Sequence, residues 1–131
     1  MSTLRTINIA NQGGTKSAPV ADVIDGYAKA WVRFHASAGT PTILAAFNVS
    51  SITDNGVGQF SVNFAQAFAD VNYSATGSGC RNSATARSVT LSGDNSGVNY
   101  VKSTGNHRFL TFCDGAAAAE DPLDFNYVAF R

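Results

Sequence analysis

The sequence predicts an all-β protein of antiparallel strands, on three observations. Apolar residues recur at every second position in several short runs. Turn-forming clusters of Gly, Asn, Asp and Ser separate those runs at intervals of ~8–12 residues. No stretch keeps the 3.6-residue period of an amphipathic helix for long enough to matter. The pattern is that of an antiparallel β-sandwich or jelly-roll-like domain. It is expected over residues 27–131, behind an extended N-terminal arm at residues 1–26.

The arm comes first. Ile7 and Ile9 alternate briefly, Asn11 to Ser17 breaks any period, and Val20, Val23 and Ile24 form a small patch before Asp25-Gly26. So few large apolar residues cannot fold alone, which predicts an arm ordered by lying on another subunit.

Strands begin at Tyr27. Ala28, Ala30, Val32 and Phe34 share one face; Lys29, Trp31, Arg33 and His35 share the other. Trp31, between two cations, suits a cation–π contact, a subunit interface or an amphipathic position on a sheet surface. Ser37 to Pro41 is a turn, because proline cannot sit in a central strand. Ile43 to Phe47 then leads into the most regular stretch of the chain. From Phe47 to Phe64, FNVSSITDNGVGQFSVNF reads as one long hairpin. Phe47, Val49 and Ile52 alternate with polar residues on the way in, and Phe60, Val62 and Phe64 do so on the way out. The reversal falls at Asp54 to Gly58, where Asn-Gly supplies positive φ angles.

Ala65 to Ala69 is too short for a stable helix and reads as a connector. A strand starting at Asp70 runs through Tyr73, Ala75 and Gly77, followed by a small polar loop from Cys80 to Ala86. Val89 and Leu91 make a short strand before the turn Ser92 to Gly97. Val98 to Val101 is the next strand, Thr104 to Asn106 a turn, and Phe109 to Phe112 another strand. Gly115 to Pro122 is a flexible connection whose four alanines are bracketed by Gly115 and Pro122. Phe125 to Phe130 is the last strand.

Composition narrows the function. At 131 residues the chain fits one domain. Such a chain buries about two-thirds of its unfolded surface, so it needs no metal or disulfide. Charged residues make up 14%, against about 25% in an ordinary soluble domain, and nine basic residues balance nine acidic ones. That argues against nucleic acid, which calls for a basic excess. It leans instead toward a surface covered by partner subunits. No apolar run approaches the ~20 residues of a membrane span, and the N-terminus lacks a signal peptide's apolar stretch. The expectation is a protein made in a cytoplasm, without membrane insertion, with Cys80 and Cys113 reduced.

Chemistry is hard to find. His35, His107, Cys80 and Cys113 are too scattered for a zinc site, and Asp54-Asn55-Gly56 lacks the further carboxylates of a calcium loop. His107 with Cys113-Asp114 reads as a buried cysteine on a hairpin before it reads as a nucleophile and base. Glu120, Asp121 and Asp124 lie on one segment, where a solvated acidic loop is expected over a glycosidase pair. No glycine loop cradles phosphate. The chain reads as non-enzymatic, with no catalytic, cofactor-binding or metal residues and no cofactor.

Four strings carry a resemblance: AKAWVRF at Ala28–Phe34, FNVSSITDNG at Phe47–Gly56, FSVNF at Phe60–Phe64 and DVNY at Asp70–Tyr73. They are similar to a family of small virion surface proteins of tailed bacteriophages, whose usual forms read KAWVNF, FNVSSITDNGTG, YTVNF and DANY. The family's C-terminal apolar strand corresponds to Tyr127–Arg131, and its frequent opening to Met1-Ser2-Thr3-Leu4. The chain departs from it at Arg33-Phe34-His35 and from Cys80 to Gly105. The resemblance implies a homotrimeric β-sandwich held to the particle by its N-terminal segment, with no catalytic residues. Two roles follow. One is a capsid decoration (cement) protein, whose partner is the major capsid protein. The other is a tail-fibre or tail-tip receptor-binding protein, whose partners are tail or baseplate proteins and host surface glycans touched by the loops at Cys80–Ala86 and Gly93–Gly97.

Overall fold

The computed structural model describes residues 8–10, 12–15, 17–19, 26–36, 39–80, 88–92, 100–113 and 119–131. Its strands are β1 (Asn8–Ala10), β2 (Ser17–Pro19), β3 (Ala28–His35), β4 (Thr42–Phe47), β5 (Val49–Gly56) and β6 (Gln59–Phe64), then β7 (Ser74–Cys80), β8 (Ser88–Ser92), β9 (Val101–Lys102), β10 (Asn106–Cys113) and β11 (Asp124–Phe130). β1 and β2 pair only with each other, so the segment expected as a simple extended arm carries a small hairpin. The other strands form one antiparallel sheet in the order β4-β3-β11-β7-β8-β10-β6-β5, with β9 beside β10. That sheet curls until it nearly closes into a barrel. The all-β, antiparallel expectation holds. The expected turn Ser92–Gly97 and the strand from Val98 fall mostly outside the described residues, as do the loop 81–86 and most of the connection 115–122.

The stretch read as one hairpin from Phe47 is two elements joined at a corner. Phe47 ends β4 and pairs with Trp31 of β3, whereas Val49 opens β5 and pairs with Phe64 of β6. Asn48 between them takes φ 53°, the left-handed region that Asn tolerates better than most residues. Its side-chain amide donates to the carbonyls of Lys29 (3.0 Å) and Gln66 (3.2 Å), and its Oδ1 accepts from the Gln66 N–H at 2.7 Å. Its own carbonyl accepts from the Ala65 N–H. The two edge strands of the sheet are therefore consecutive in the chain and pinned by one side chain. Phe47, grouped by alternation with Val49 and Ile52, is 49% exposed and lies outside the core.

Beyond the corner the hairpin is as expected, except that its tip is Val57-Gly58, with Gly56 still paired to Gln59. Asp54 Oδ1 accepts from the Gly56 N–H at 2.8 Å and tightens the approach. Gly58, at φ 63°, is buried and clamped. Its N–H donates to Asp121 Oδ1 (2.6 Å), and its carbonyl accepts from the Thr111 N–H (2.8 Å). A Cβ there would overlap Ala119 and Glu120.

Alternation places one face of β3 and of β11 inside. Ala30, Val32 and Phe34 of β3 meet Phe60, Val62 and Phe64 of β6, Phe109 of β10, and Phe125, Tyr127 and Ala129 of β11. Aromatic rings span the interior from strands far apart in the sheet: Phe109 stacks on Phe125 and on Tyr127 at centroid distances of 5.8 and 5.7 Å, and Phe34 meets Phe60 edge-on at 5.5 Å. Each such pair contributes about 0.5–1.5 kcal/mol beyond area burial. Gly77 and Gly79 of β7 make room for Phe125, whose ring lies where their side chains would be. Past β6, Phe68 and Tyr73 close one end, with rings 4.6 Å apart. The DVNY string explains itself here. Asp70 accepts from the Asn72 N–H to form a turn, and Tyr73 drops into the core with its hydroxyl on the carbonyls of Ser103 and Asn106. The strand expected to start at Asp70 starts instead at Ser74.

The Asn48 corner yields a graded expectation. Asn48→Ala removes the amide bonds and puts a Cβ residue without side-chain compensation at positive φ, at a cost of about 2–4 kcal/mol. Asn48→Gly accepts the backbone angle and loses only the amide bonds, so it lies between Ala and wild type. Urea unfolding midpoints of the two variants measure this; indistinguishable midpoints for all three proteins would remove Asn48 from its role.

Candidate functional site

The interior holds a histidine in an unusual setting. His107 of β10 is fully buried among Tyr73, Tyr100, Phe109 and Tyr127. Its Nδ1 shares a 3.0 Å hydrogen bond with the Tyr127 hydroxyl, while Nε2 is buried with no hydrogen-bond partner among the described residues. Burial, and secondarily the Lys102 ammonium, pushes its pKa down to about 4. The imidazole is therefore neutral at pH 7, and it reads as a core residue. Burial likewise pushes the Tyr73 and Tyr127 hydroxyls well above the usual tyrosine range.

The other sequence candidates are dispersed. His35 and Cys80 lie on the outer side of the sheet and His107 on the inner side, so the His35, His107, Cys80 and Cys113 set is split across it. Cys80 is an exposed free thiol, and the side chain of Cys113 lies outside the described residues. No group of three His, Cys, Asp or Glu side chains gathers among the described residues. The loop expected to be solvated is instead structural where it is described. Asp121 holds the Gly58 amide, Pro122 is buried, and Asp124 chelates Arg33. The guanidinium of Arg33 meets Asp124 through Nε (3.1 Å to each oxygen) and Nη2 (2.5 Å), and its hydrogen bonds hold that carboxyl below the usual range.

The clearest surface feature is built on the outer positions of β4, β3, β11 and β7. Register sets Phe47, Trp31, Val128 and Thr76 in one row across four strands, and Ala45, Arg33, Asn126 and Ser78 in the next. Trp31 is 40% exposed. Large Trp31 beside small Ala45, Thr76 and Ser78 leaves a cavity of about 370 Å³ floored by Val128 and Asn126. Neither cation expected beside Trp31 is held for it alone: the Lys29 ammonium lies 3.6 Å over the Tyr27 ring, and Arg33 turns to Asp124. Exposed Phe47, Phe130 and Tyr27 extend the aromatic surface toward the Asn48 corner. There a second cavity of about 460 Å³ is lined by Tyr27, Phe47, Asn48, Gln66 and Arg131. Its principal polar groups are already engaged, Asn48 in its three amide bonds and Arg131 with Asp70.

Sequence reasoning singled out Trp31 but missed Thr76, Ser78 and Asn126. The available signal was the alternation of β7 and β11, which puts those residues on one face. Only the pairing of β11 with both β3 and β7 brings that face to Trp31. Comparison with family models, with curated proteins and with solved structures finds no match to this chain.

His107 makes stability depend on pH in a defined window. The unfolded imidazole titrates near its ordinary 6.5 and the folded one near about 4. Between those values the unfolded chain binds a proton that the folded chain refuses. Stability therefore falls as pH drops through the window, by about 3 kcal/mol in full. Asp70 and Asp124, with lowered values, add their own loss only at lower pH. The thermal midpoint should drop between pH 7 and pH 5, and the paired change His107→Phe with Tyr127→Phe, which leaves no widowed hydroxyl, should flatten that drop. An undiminished drop would assign it to other groups.

Proposed function

We propose that the chain is a structural protein of the exterior of a bacteriophage particle: a homotrimer of sandwich-like barrels that decorates the capsid and stabilises the head. One observation carries this reading. The core is filled by packed aromatics, and exposed Tyr27, Phe47 and Phe130 gather beside the Trp31 strip on one side of the sheet, in a chain whose charges balance. Such a molecule acts by contact, and aromatics at the surface of a sparsely charged protein are what subunit interfaces use. Trimers suit the local three-fold points of a shell. The phage resemblance of the KAWVRF, FNVSSITDNG and FSVNF strings supports the setting, and residues 1–26 would tie the barrel to the major capsid protein.

A second reading has its own observation. The cavity beside Trp31, on a rigid sheet, favours a tail-fibre or tail-tip protein that attaches the particle to a host surface.

Copy number separates the two. A decoration protein is present in numbers comparable to the major capsid protein, whereas a tail protein is present in a few copies per particle. Quantitative mass spectrometry of purified particles reads this directly, and absence from particles refutes both. Deleting residues 1–25 should leave a soluble barrel that no longer sediments with particles; retained binding would end the anchoring role. The intact protein should sediment as a trimer at micromolar concentration, and a clean monomer would count against the assembly.

A further inference from the structure

We infer that the outer face of β3, β11 and β7 around Trp31 binds a neutral saccharide, with a pyranose ring lying on the indole. The placement is set by register. Val128 lies directly between Trp31 and Thr76, and Asn126 between Arg33 and Ser78. Adjacent strands are ~4.8 Å apart, so Trp31 and Thr76 flank a strip about 10 Å wide. The strip is floored by Val128 and Asn126 and encloses the cavity of about 370 Å³, within the ~300–1,000 Å³ of small-ligand sites.

The chemistry of the strip alternates on the scale of one sugar ring. The indole, 40% exposed and lining the cavity, offers apolar aromatic area to the C–H side of a pyranose. Thr76, Ser78 and Asn126 are exposed, and their side chains make no hydrogen bond to any described residue. Their two hydroxyls and one amide supply both donors and acceptors, which is what a rim of sugar hydroxyls requires. Charge selects within the saccharides. Arg33 is the cation of the cavity wall, and Asp124 already neutralises it through a bidentate contact, so no uncompensated charge there awaits a carboxylate or sulfate. A protein subunit seated on the same strip would have to desolvate Thr76, Ser78, Asn126 and the Arg33–Asp124 pair, each costly unless matched. The second cavity, near Asn48, is less suited because Asn48 and Arg131 are already hydrogen-bonded.

This inference rests on the second reading above, which uses the same cavity, and is tested on the isolated chain, so that a failure to bind sugar is distinct from a failure of the copy-number test. Trp31 is the chain's single tryptophan, so its fluorescence reports on this site alone. The intact protein is applied to an array of neutral hexose, deoxyhexose and N-acetylhexosamine oligosaccharides alongside sialylated and sulfated ones. Retained oligosaccharides are then titrated while Trp31 emission is followed. The expected result is retention on neutral spots and a saturable change in emission. The pair Ser78→Ala with Asn126→Ala, both exposed, should weaken binding about tenfold or more with an unchanged thermal midpoint. Retention on no spot, retention on anionic spots only, or an unaltered titration in the variant would overturn the inference. So would Trp31 emission that changes on dilution without sugar, because subunits would then cover the indole; that outcome removes the saccharide site and leaves the trimeric virion reading intact.

Discussion

One residue conformation decides how this sheet is organised: Asn48 in the left-handed region, with its amide bonded to Lys29 and Gln66. β4 and β5 are the two ends of the sheet, yet they are consecutive in the chain. A single residue must therefore change the chain's partner from β3 to β6. A straight strand cannot do this, because alternation would carry Phe47 and Val49 onto the same face. The corner lets Phe47 stay outside beside Trp31 while Val49 packs toward the core. The side chain also explains why the corner is a fixed one. Its amide reaches strand β3 on one side and the segment after β6 on the other, so the ends of the curled sheet are tied at the point where they meet.

With the ends tied, the interior is a nearly closed volume to be filled, and aromatic residues fill it. Phe34, Phe60, Phe109, Phe125 and Tyr127 interlock across the barrel. The glycines of β7 are part of the same solution, since the ring of Phe125 takes the space their side chains would occupy. His107 is an imidazole admitted to this volume beside Tyr73 and Tyr127, and burial keeps it neutral. An interior used for packing directs any recognition to the outside of the sheet.

The outside is correspondingly mild in chemistry. Its prominent ion pairs, Arg33 with Asp124 and Arg131 with Asp70, are internally balanced. What remains to distinguish one face from another is shape and aromatic exposure, both concentrated around Trp31. A capsid part and a surface-binding part would use such a face in the same physical way, by burying aromatic area without desolvating unpaired charge. The two readings differ in what is laid on the face.

Several features were legible in the residues alone. Strict alternation marked β3, β6 and β11 and sorted Ala30, Val32 and Phe34 from Lys29, Trp31 and Arg33, because the two-residue period of a strand is a local property. Turn chemistry placed the reversal near Asp54 to Gly58 for the same reason. What alternation cannot carry is which strands become neighbours. Whether Phe47 is core or surface depended on the Asn48 corner, and whether His107 is a ligand or a core ring depended on which face of β10 turned inward. The acidic segment looked solvated until Asp121 met Gly58, 63 positions away in the chain. The strip of Thr76, Ser78, Asn126 and Trp31 draws on three strands whose order, β3-β11-β7, is set by long-range pairing. The sequence by itself determined most of the strands, the faces of β3, β6 and β11 and the neutral charge balance. Tertiary structure alone decided the closure of the sheet and the assembly of the candidate site, because both arise from pairing between residues far apart in the chain.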